Sequence, residues 1–213
     1  MPKVKICANT RAEDARLAAT LGADYLGFIF TESKRRVSVD VARSIVQSLP
    51  DFKNFVAVFS NQSKEAVEET VHDLGIRIIQ FHGEETARYC HSFMEKGYEV
   101  IKTFRIKDRM SLKRIDEYNV SAFLFDTYSS ESKGGTGAAF DWELIEDRPY
   151  VHEKLFLAGG LNVQNLAKAL QKVHPFAVDV ASGVEKSPGV KDPKLVEEFI
   201  RIAKEGERAW LRK

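Results

Sequence analysis

Cys7 closes the first apolar run of the chain, Val4-Lys5-Ile6-Cys7, and a helix start, Thr10-Arg11-Ala12-Glu13, follows it. A thiol at the carboxyl end of a strand, in a protein that alternates strands with helices, points toward the face where such folds place their chemistry. The competing reading of any single cysteine is a small buried hydrophobe. Asp126 closes another apolar run, Ala122-Phe123-Leu124-Phe125, and is a candidate general acid. Cys7 is the complementary base, since a free thiol near ~8.5 is brought within reach of thiolate chemistry by cationic neighbours. Lys5, two residues back on the same side of the strand, is either such a neighbour or a structural lysine satisfied by a carboxylate. One acid opposed to one base is what an isomerase that moves protons on a sugar requires.

Two glycine loops add a third function. Ala158-Gly159-Gly160-Leu161-Asn162 and Ala181-Ser182-Gly183-Val184-Glu185 each follow an apolar run and present backbone amides with little side-chain obstruction. Such loops hold phosphates, so a small phosphorylated substrate is expected at Gly159, Gly160, Ser182 and Gly183. Tight turns are the plainer alternative. Arg35 and Arg36 lie on one loop at the same mouth, and one arginine can grip a carboxylate through two parallel hydrogen bonds, against the ordinary reading of Lys34-Arg35-Arg36 as a solvated basic run. The stretch from Ser129 to Gly137, polar and rich in glycine, suits a lid over the site and lacks the ending of a nucleotide-triphosphate loop.

These groups need elements to hold them. Apolar runs rich in β-branched or aromatic residues recur at Val4 to Cys7, Tyr25 to Phe30, Phe55 to Phe59, Arg77 to Phe81, Glu99 to Phe104, Ala122 to Asp126, Lys154 to Ala158 and Phe176 to Val180. Their near-continuous hydrophobicity suits parallel strands covered on both faces. Amphipathic helices lie between them. Thr10 with Glu13 reads as a capping box, Ser38, Ser63, Asn162 and Asp192-Pro193 as further caps, and Gly22, Gly75 and Gly97 as helix ends. Strands start every 21 to 33 residues or so, about one strand plus one crossover helix. Eight such units predict an α/β fold, a single (β/α)8 TIM barrel over residues 1–213. A doubly wound open sheet is the alternative, and no dinucleotide-binding glycine pattern follows any strand.

Composition excludes several classes. The chain of 213 residues carries 32 basic and 31 acidic side chains, so no broad field attracts nucleic acid or a membrane surface. No run is long enough to span a bilayer, and two cysteines, Cys7 and Cys90, fit a reducing compartment. A cytoplasmic location is expected. The five histidines are scattered, and no metal is assigned.

The same residues carry a resemblance that covers the whole chain. Lys5-Ile6-Cys7, Gly22-Ala23-Asp24-Tyr25-Leu26-Gly27-Phe28-Ile29-Phe30, Arg36-Val37-Ser38, Gln80-Phe81-His82-Gly83-Glu84, Phe125-Asp126, Gly134-Gly135-Thr136-Gly137, Leu157-Ala158-Gly159-Gly160-Leu161 and Val178-Asp179-Val180-Ala181-Ser182-Gly183-Val184-Glu185 resemble, in order, the motifs of phosphoribosylanthranilate isomerase. The resemblance implies the cofactor-independent Amadori rearrangement of N-(5-phosphoribosyl)anthranilate to 1-(2-carboxyphenylamino)-1-deoxyribulose 5-phosphate, in tryptophan biosynthesis. It implies Asp126 as general acid, Cys7 as general base, Arg36 on the anthranilate carboxylate, the two glycine loops on the phosphate, and His82 at the mouth. It implies a monomer or homodimer. Indole-glycerol-phosphate synthase, the ribulose-phosphate epimerases and the histidine-pathway isomerase are disfavoured by the Cys7 and Asp126 pair. The chain departs from the family at Ala8 and Ala181, where glycine and serine are usual, and at Ala138, where a basic residue is usual. A glycine with φ > 0 replaced by Ala8 would put strain beside the thiol.

Overall fold

The computed structural model describes residues 1–127, 142–145 and 151–205. Eight strands form one closed parallel barrel: β1 (Lys3–Ile6), β2 (Tyr25–Ile29), β3 (Phe55–Phe59), β4 (Ile78–Phe81), β5 (Glu99–Ile106), β6 (Ala122–Thr127), β7 (Leu155–Leu157) and β8 (Ala177–Val180). Closure is made by β1 against β8, with Lys3 opposite Ala177 and Lys5 opposite Asp179. The expected (β/α)8 barrel is the architecture found.

Period-two alternation divides the buried residues into two shells. Val4 and Ile6 face outward into the shell between strands and helices, with Phe28, Phe81, Phe125 and Phe199. Cys7 faces inward with Val56, Val58, Ile101, Leu124 and Phe156, so the barrel interior is packed below the site. The strand that delivers the thiol ends at Ile6, but Cys7 continues its ladder through its N–H to Val180 O, 2.8 Å.

The outer helices are α1 (Ala12–Thr20), α2 (Val39–Gln47), α3 (Lys64–Leu74), α4 (Ala87–Met94), α5 (Val151–Lys154), α6 (Leu166–Val173) and α7 (Pro193–Glu205). Ser38 and Ser63 cap α2 and α3 by accepting from Val41 N and Ala66 N, and Asp192 accepts from Lys194 N and Leu195 N at the start of α7. Asn162 caps a turn ahead of α6, accepting from the backbone of Gln164 and Asn165. The Thr10 capping box does not form: α1 begins after Arg11, and the Thr10 hydroxyl instead donates to Gly189 O, on the hairpin of β9 (Glu185–Ser187) and β10 (Val190–Lys191). Between β5 and β6 the expected helix is replaced by two 3-10 turns, Arg109–Leu112 and Ile115–Glu117. Buried Leu112, Ile115 and Tyr118 recur every three residues, the spacing that aligns on a 3-10 turn. The lid expected at Ser129 to Gly137, and Ala138, lie outside the described residues.

Candidate active site

Cys7, His82, Asp126, Gly159, Gly160, Ser182 and Gly183 line one cavity at the carboxyl ends of the strands. Seven of the eight site residues read from the sequence are therefore brought together. Arg36 is the exception. Its backbone bridges to Ile29 at the end of β2, Val37 beside it is buried, and Arg36 is exposed and does not line this cavity. Arg35 lines the cavity instead and gives its Nε–H to both oxygens of Glu185, at 2.8 and 3.1 Å.

Around Cys7 the backbone is tightly held. Ala8 has φ 62°, in the left-handed region that L residues rarely adopt, and it is fully buried. Several bonds impose this turn. Cys7 N is bonded to Val180 O, Asn9 N to Gly27 O at 3.0 Å, and the Asn9 side-chain amide to Ile6 O and Gly27 O at 2.8 and 3.2 Å. Lys191 Nζ donates to Cys7 O at 2.5 Å, to Ala181 O at 3.2 Å and to Glu185 at 3.1 Å. The chain Arg35, Glu185, Lys191 thus ties the loop after β2, the loop after β8 and the carbonyl of the thiol-bearing residue. Burial pushes the Lys191 ammonium below its ordinary range, against the pull of Glu185.

Cys7 as a residue is 5% exposed. Burial pushes Cys7 up, Lys5 opposes that, and Asp179 reinforces it; the net direction is up. Lys5 is wholly buried and bonded to Asp179 at 2.7 Å. Burial would lower the Lys5 ammonium, but the charges of Asp179 and Cys7 outweigh it and hold it above its ordinary value. Gly27, on β2, makes the space: a Cβ there would stand 2.7 Å from Cys7 Sγ and 3.2 Å from Lys5 Nζ.

Across the cavity, Asp126 Oδ2 is 3.4 Å from His82 Nε2, and Gln80 Nε2 is 3.2 Å from His82 Nδ1. An amide that donates to Nδ1 calls for the tautomer with its proton on Nε2, the nitrogen that faces the carboxyl. The His82 loop is pinned from below by a buried pair, Lys102 and Glu85 at 2.9 Å. Lys102 also donates to Gly83 O at 2.6 Å, and Glu85 accepts from the backbone of Gly83 and Asn61.

The two glycine loops lie side by side. A Cβ on Gly183 would stand 1.9 Å from Leu161 O, an impossible contact with backbone, so only glycine lets the loop after β8 pass the loop after β7. Gly159 and Gly160 have φ of 82° and 71°, and Gly160 O is held by the side chains of Asn162 and Asn165. Both loops line the cavity with backbone, the arrangement that cradles an anion. Among the described residues no cluster of His, Cys, Asp and Glu could hold a metal ion. None of the described helices is long and apolar enough to cross a membrane.

Sequence reasoning passed over Asp179, Lys102, Glu185 and Lys191, and named Arg35 only together with Arg36. A signal existed for two of them. Asp179 and Lys102 are charged residues in otherwise apolar strands, and a buried charge requires a partner.

Residues 4–202 match the family model described as N-(5'phosphoribosyl)anthranilate (PRA) isomerase. The chain is 45% identical, over 206 residues, to N-(5'-phosphoribosyl)anthranilate isomerase of Pelobacter propionicus, covering 96% of this chain and 97% of that one. The crystal structure of phosphoribosyl anthranilate isomerase from Thermotoga maritima superposes with a TM-score of 0.86 at 38% identity, covering 96% and 99% of the two chains. A crystal structure of phosphoribosyl anthranilate isomerase in complex with reduced 1-(o-carboxyphenylamino)-1-deoxyribulose 5-phosphate superposes with a TM-score of 0.83 at 37% identity, with the same coverage.

Proposed function

The chain belongs to the N-(5'-phosphoribosyl)anthranilate isomerase family, and from that premise we propose that it carries out the Amadori rearrangement of N-(5-phosphoribosyl)anthranilate in tryptophan biosynthesis, with Asp126 as general acid and Cys7 as general base. One observation carries this reading: a carboxyl and a thiol from different strands line one cavity, with two backbone-lined glycine loops at its edge.

The chemistry divides into two proton transfers. Asp126 gives a proton to the ribose ring oxygen as the C1–O bond breaks, and the anthranilate nitrogen lone pair forms C1=N. The Cys7 thiolate then takes the proton from C2, and the C2–H electron pair becomes a C1=C2 bond while the C=N electrons return to nitrogen. The resulting enolamine loses its O2 proton and gains one at C1, giving the ketone. Every proton removed is replaced, so the product is an isomer and no redox cofactor enters the balance. His82, donating from Nε2, holds the Asp126 carboxyl in place. The Gly159-Gly160 and Ser182-Gly183 backbone binds the phosphate, and Arg36, which the family resemblance puts on the anthranilate carboxylate, supplies the clamp. Arg35, which lines the cavity, is the rival for that role. The protein acts in the cytoplasm, as a monomer or homodimer.

The test is a direct isomerase assay, followed as loss of anthranilate-type fluorescence. Cys7→Ser and Asp126→Asn are each expected to lower kcat by ~100-fold or more with native circular dichroism. Full turnover in either variant removes that residue from the mechanism. Removing the charge at Arg35 and at Arg36 separately identifies the clamp: its loss raises KM while the other substitution leaves KM unchanged.

A further inference from the structure

Cys7 must serve as a base from a place that favours its neutral form. The residue lies under the barrel mouth, 5% exposed, where a charge loses its hydration. A thiolate there needs a cation that is equally dehydrated and fixed in position.

Lys5 meets that description. It is fully buried, it precedes Cys7 by two residues on β1, and it therefore faces the same interior. Asp179, its register partner on β8, holds the ammonium at 2.7 Å. The vacant position above Gly27 lies 2.7 Å from Sγ and 3.2 Å from Nζ, so thiol and ammonium share one small space.

Other charged groups face the thiol less directly. Lys191, from β10, is spent on the carbonyls of Cys7 and Ala181 and on Glu185, and Arg35 is bound to Glu185. Asp126, His82 and Asp179 line the same cavity, while β2 and β3 present Gly27 and Val58, which carry no charge. Stability does not account for the pair, since a buried Lys–Asp pair is often replaced by apolar residues at no loss.

We propose that Lys5 is a positioning residue for the base, its ammonium held by Asp179 as the counter-charge against which the Cys7 thiolate forms. The proposal rests on Cys7 being the base. Before the second proton transfer the thiol releases its proton to water, and the thiolate so formed pairs with Lys5. The thiolate takes the C2 proton and becomes a thiol again, while Lys5 keeps its own proton throughout.

The experiment follows alkylation of Cys7 by iodoacetamide against pH, with peptide mass spectrometry separating it from Cys90. The Lys5→Met/Asp179→Asn double variant removes both charges and leaves no unpaired buried ion. Its alkylation midpoint is expected at least ~1 pH unit above the unsubstituted protein's, which is about a tenfold slower reaction at neutral pH. Lys5→Arg, keeping the charge, is expected to stay within ~0.5 unit. An unchanged midpoint in a natively folded double variant overturns the proposal. A second measurement needs no substitution at Lys5: its 15Nζ signal should inflect at the pH where Cys7 ionises, and a signal without that inflection also overturns it. These readouts are independent of turnover, so a fully active Cys7→Ser variant would refute the base role while leaving the titration result to stand by itself.

Discussion

The two ends of this barrel solve the same problem differently. At the amino-terminal end Asp24, just before β2, accepts from Val4 N at 2.8 Å and pairs with Lys3 at 3.2 Å and with Lys204 of α7. Burial alone would raise the Asp24 carboxyl, but Lys204, the Val4 amide and Lys3 bring it below the usual carboxylate range. Every contact there favours the ordinary charged form. At the carboxyl-terminal end three lysines, Lys5, Lys102 and Lys191, are buried, and Cys7 is pushed toward the wrong form for a base. Ala8 and Asn61 sit at positive φ, and the buried acceptors Asn9 Oδ1 and Gln80 Oε1 have no hydrogen-bond partner among the described residues. At the amino-terminal end positive φ outside glycine occurs at His174, the cap of α6, whereas near the site strained backbone is joined by buried acceptors that lack partners among the described residues.

The largest break in that comparison is expected at Gly27. Gly27→Ala places a methyl 2.7 Å from Cys7 Sγ and 3.2 Å from its Cα, so the strand carrying the thiol must shift. Displacing a reacting group by a fraction of an ångström to 1 Å costs up to ~100-fold in rate. The expected outcome is a kcat lower by about that factor, with phosphate-loop affinity retained, measured by steady-state kinetics and by inhibition with inorganic phosphate. A variant with normal kcat would show that the mouth is not tightly fitted around the thiol.

Asp24→Asn probes the other end and is expected to do less. The change removes an ion pair with two lysines but keeps an acceptor for Val4 N, so chemical denaturation should show a loss of about 1 kcal/mol with kcat and KM unchanged. The pH dependence gives a sign. A carboxyl whose folded value is depressed stabilises the fold above the unfolded value near ~3.9, and that contribution disappears as pH falls through the folded value. The difference between the two proteins should therefore shrink under acid conditions. A growing difference would mean that Asp24 is not held in its charged form by the fold.

How much of this could be read from the chain follows the same division. The barrel was legible because strand periodicity and helix caps are local, and Ser38, Ser63 and Asp192 cap as their positions suggest. Thr10 failed as a cap because Gly189, distant in sequence, takes its hydroxyl, and no local rule anticipates that. At the site, Cys7 and Asp126 were legible because they end apolar runs. Arg35 and Arg36 were not separable, since which of two adjacent arginines faces inward depends on where the turn at Ser33 ends and the bridge to Ile29 begins. The Arg35, Glu185 and Lys191 chain spans three loops and leaves no spacing to read.

Ala8 gives the smallest expected effect and the sharpest comparison, because the sequence pointed to it and the geometry gives it a sign. An alanine at φ 62° costs roughly 1–2 kcal/mol relative to its ordinary conformations, while glycine visits that region freely. Glycine also adds freedom to the unfolded chain, which takes back ~0.4–1 kcal/mol. The balance for Ala8→Gly is a gain of about 0.5 kcal/mol, read from the midpoint of chemical denaturation. The turn is already fixed by Asn9, Val180 and Lys191, so the thiol should not move and kcat should stay within about twofold. A loss of stability would mean that the buried methyl contributes packing that outweighs its strain. A large rise in kcat would mean that the methyl displaces Cys7 in the protein as it stands, and that these bonds do not fix the turn.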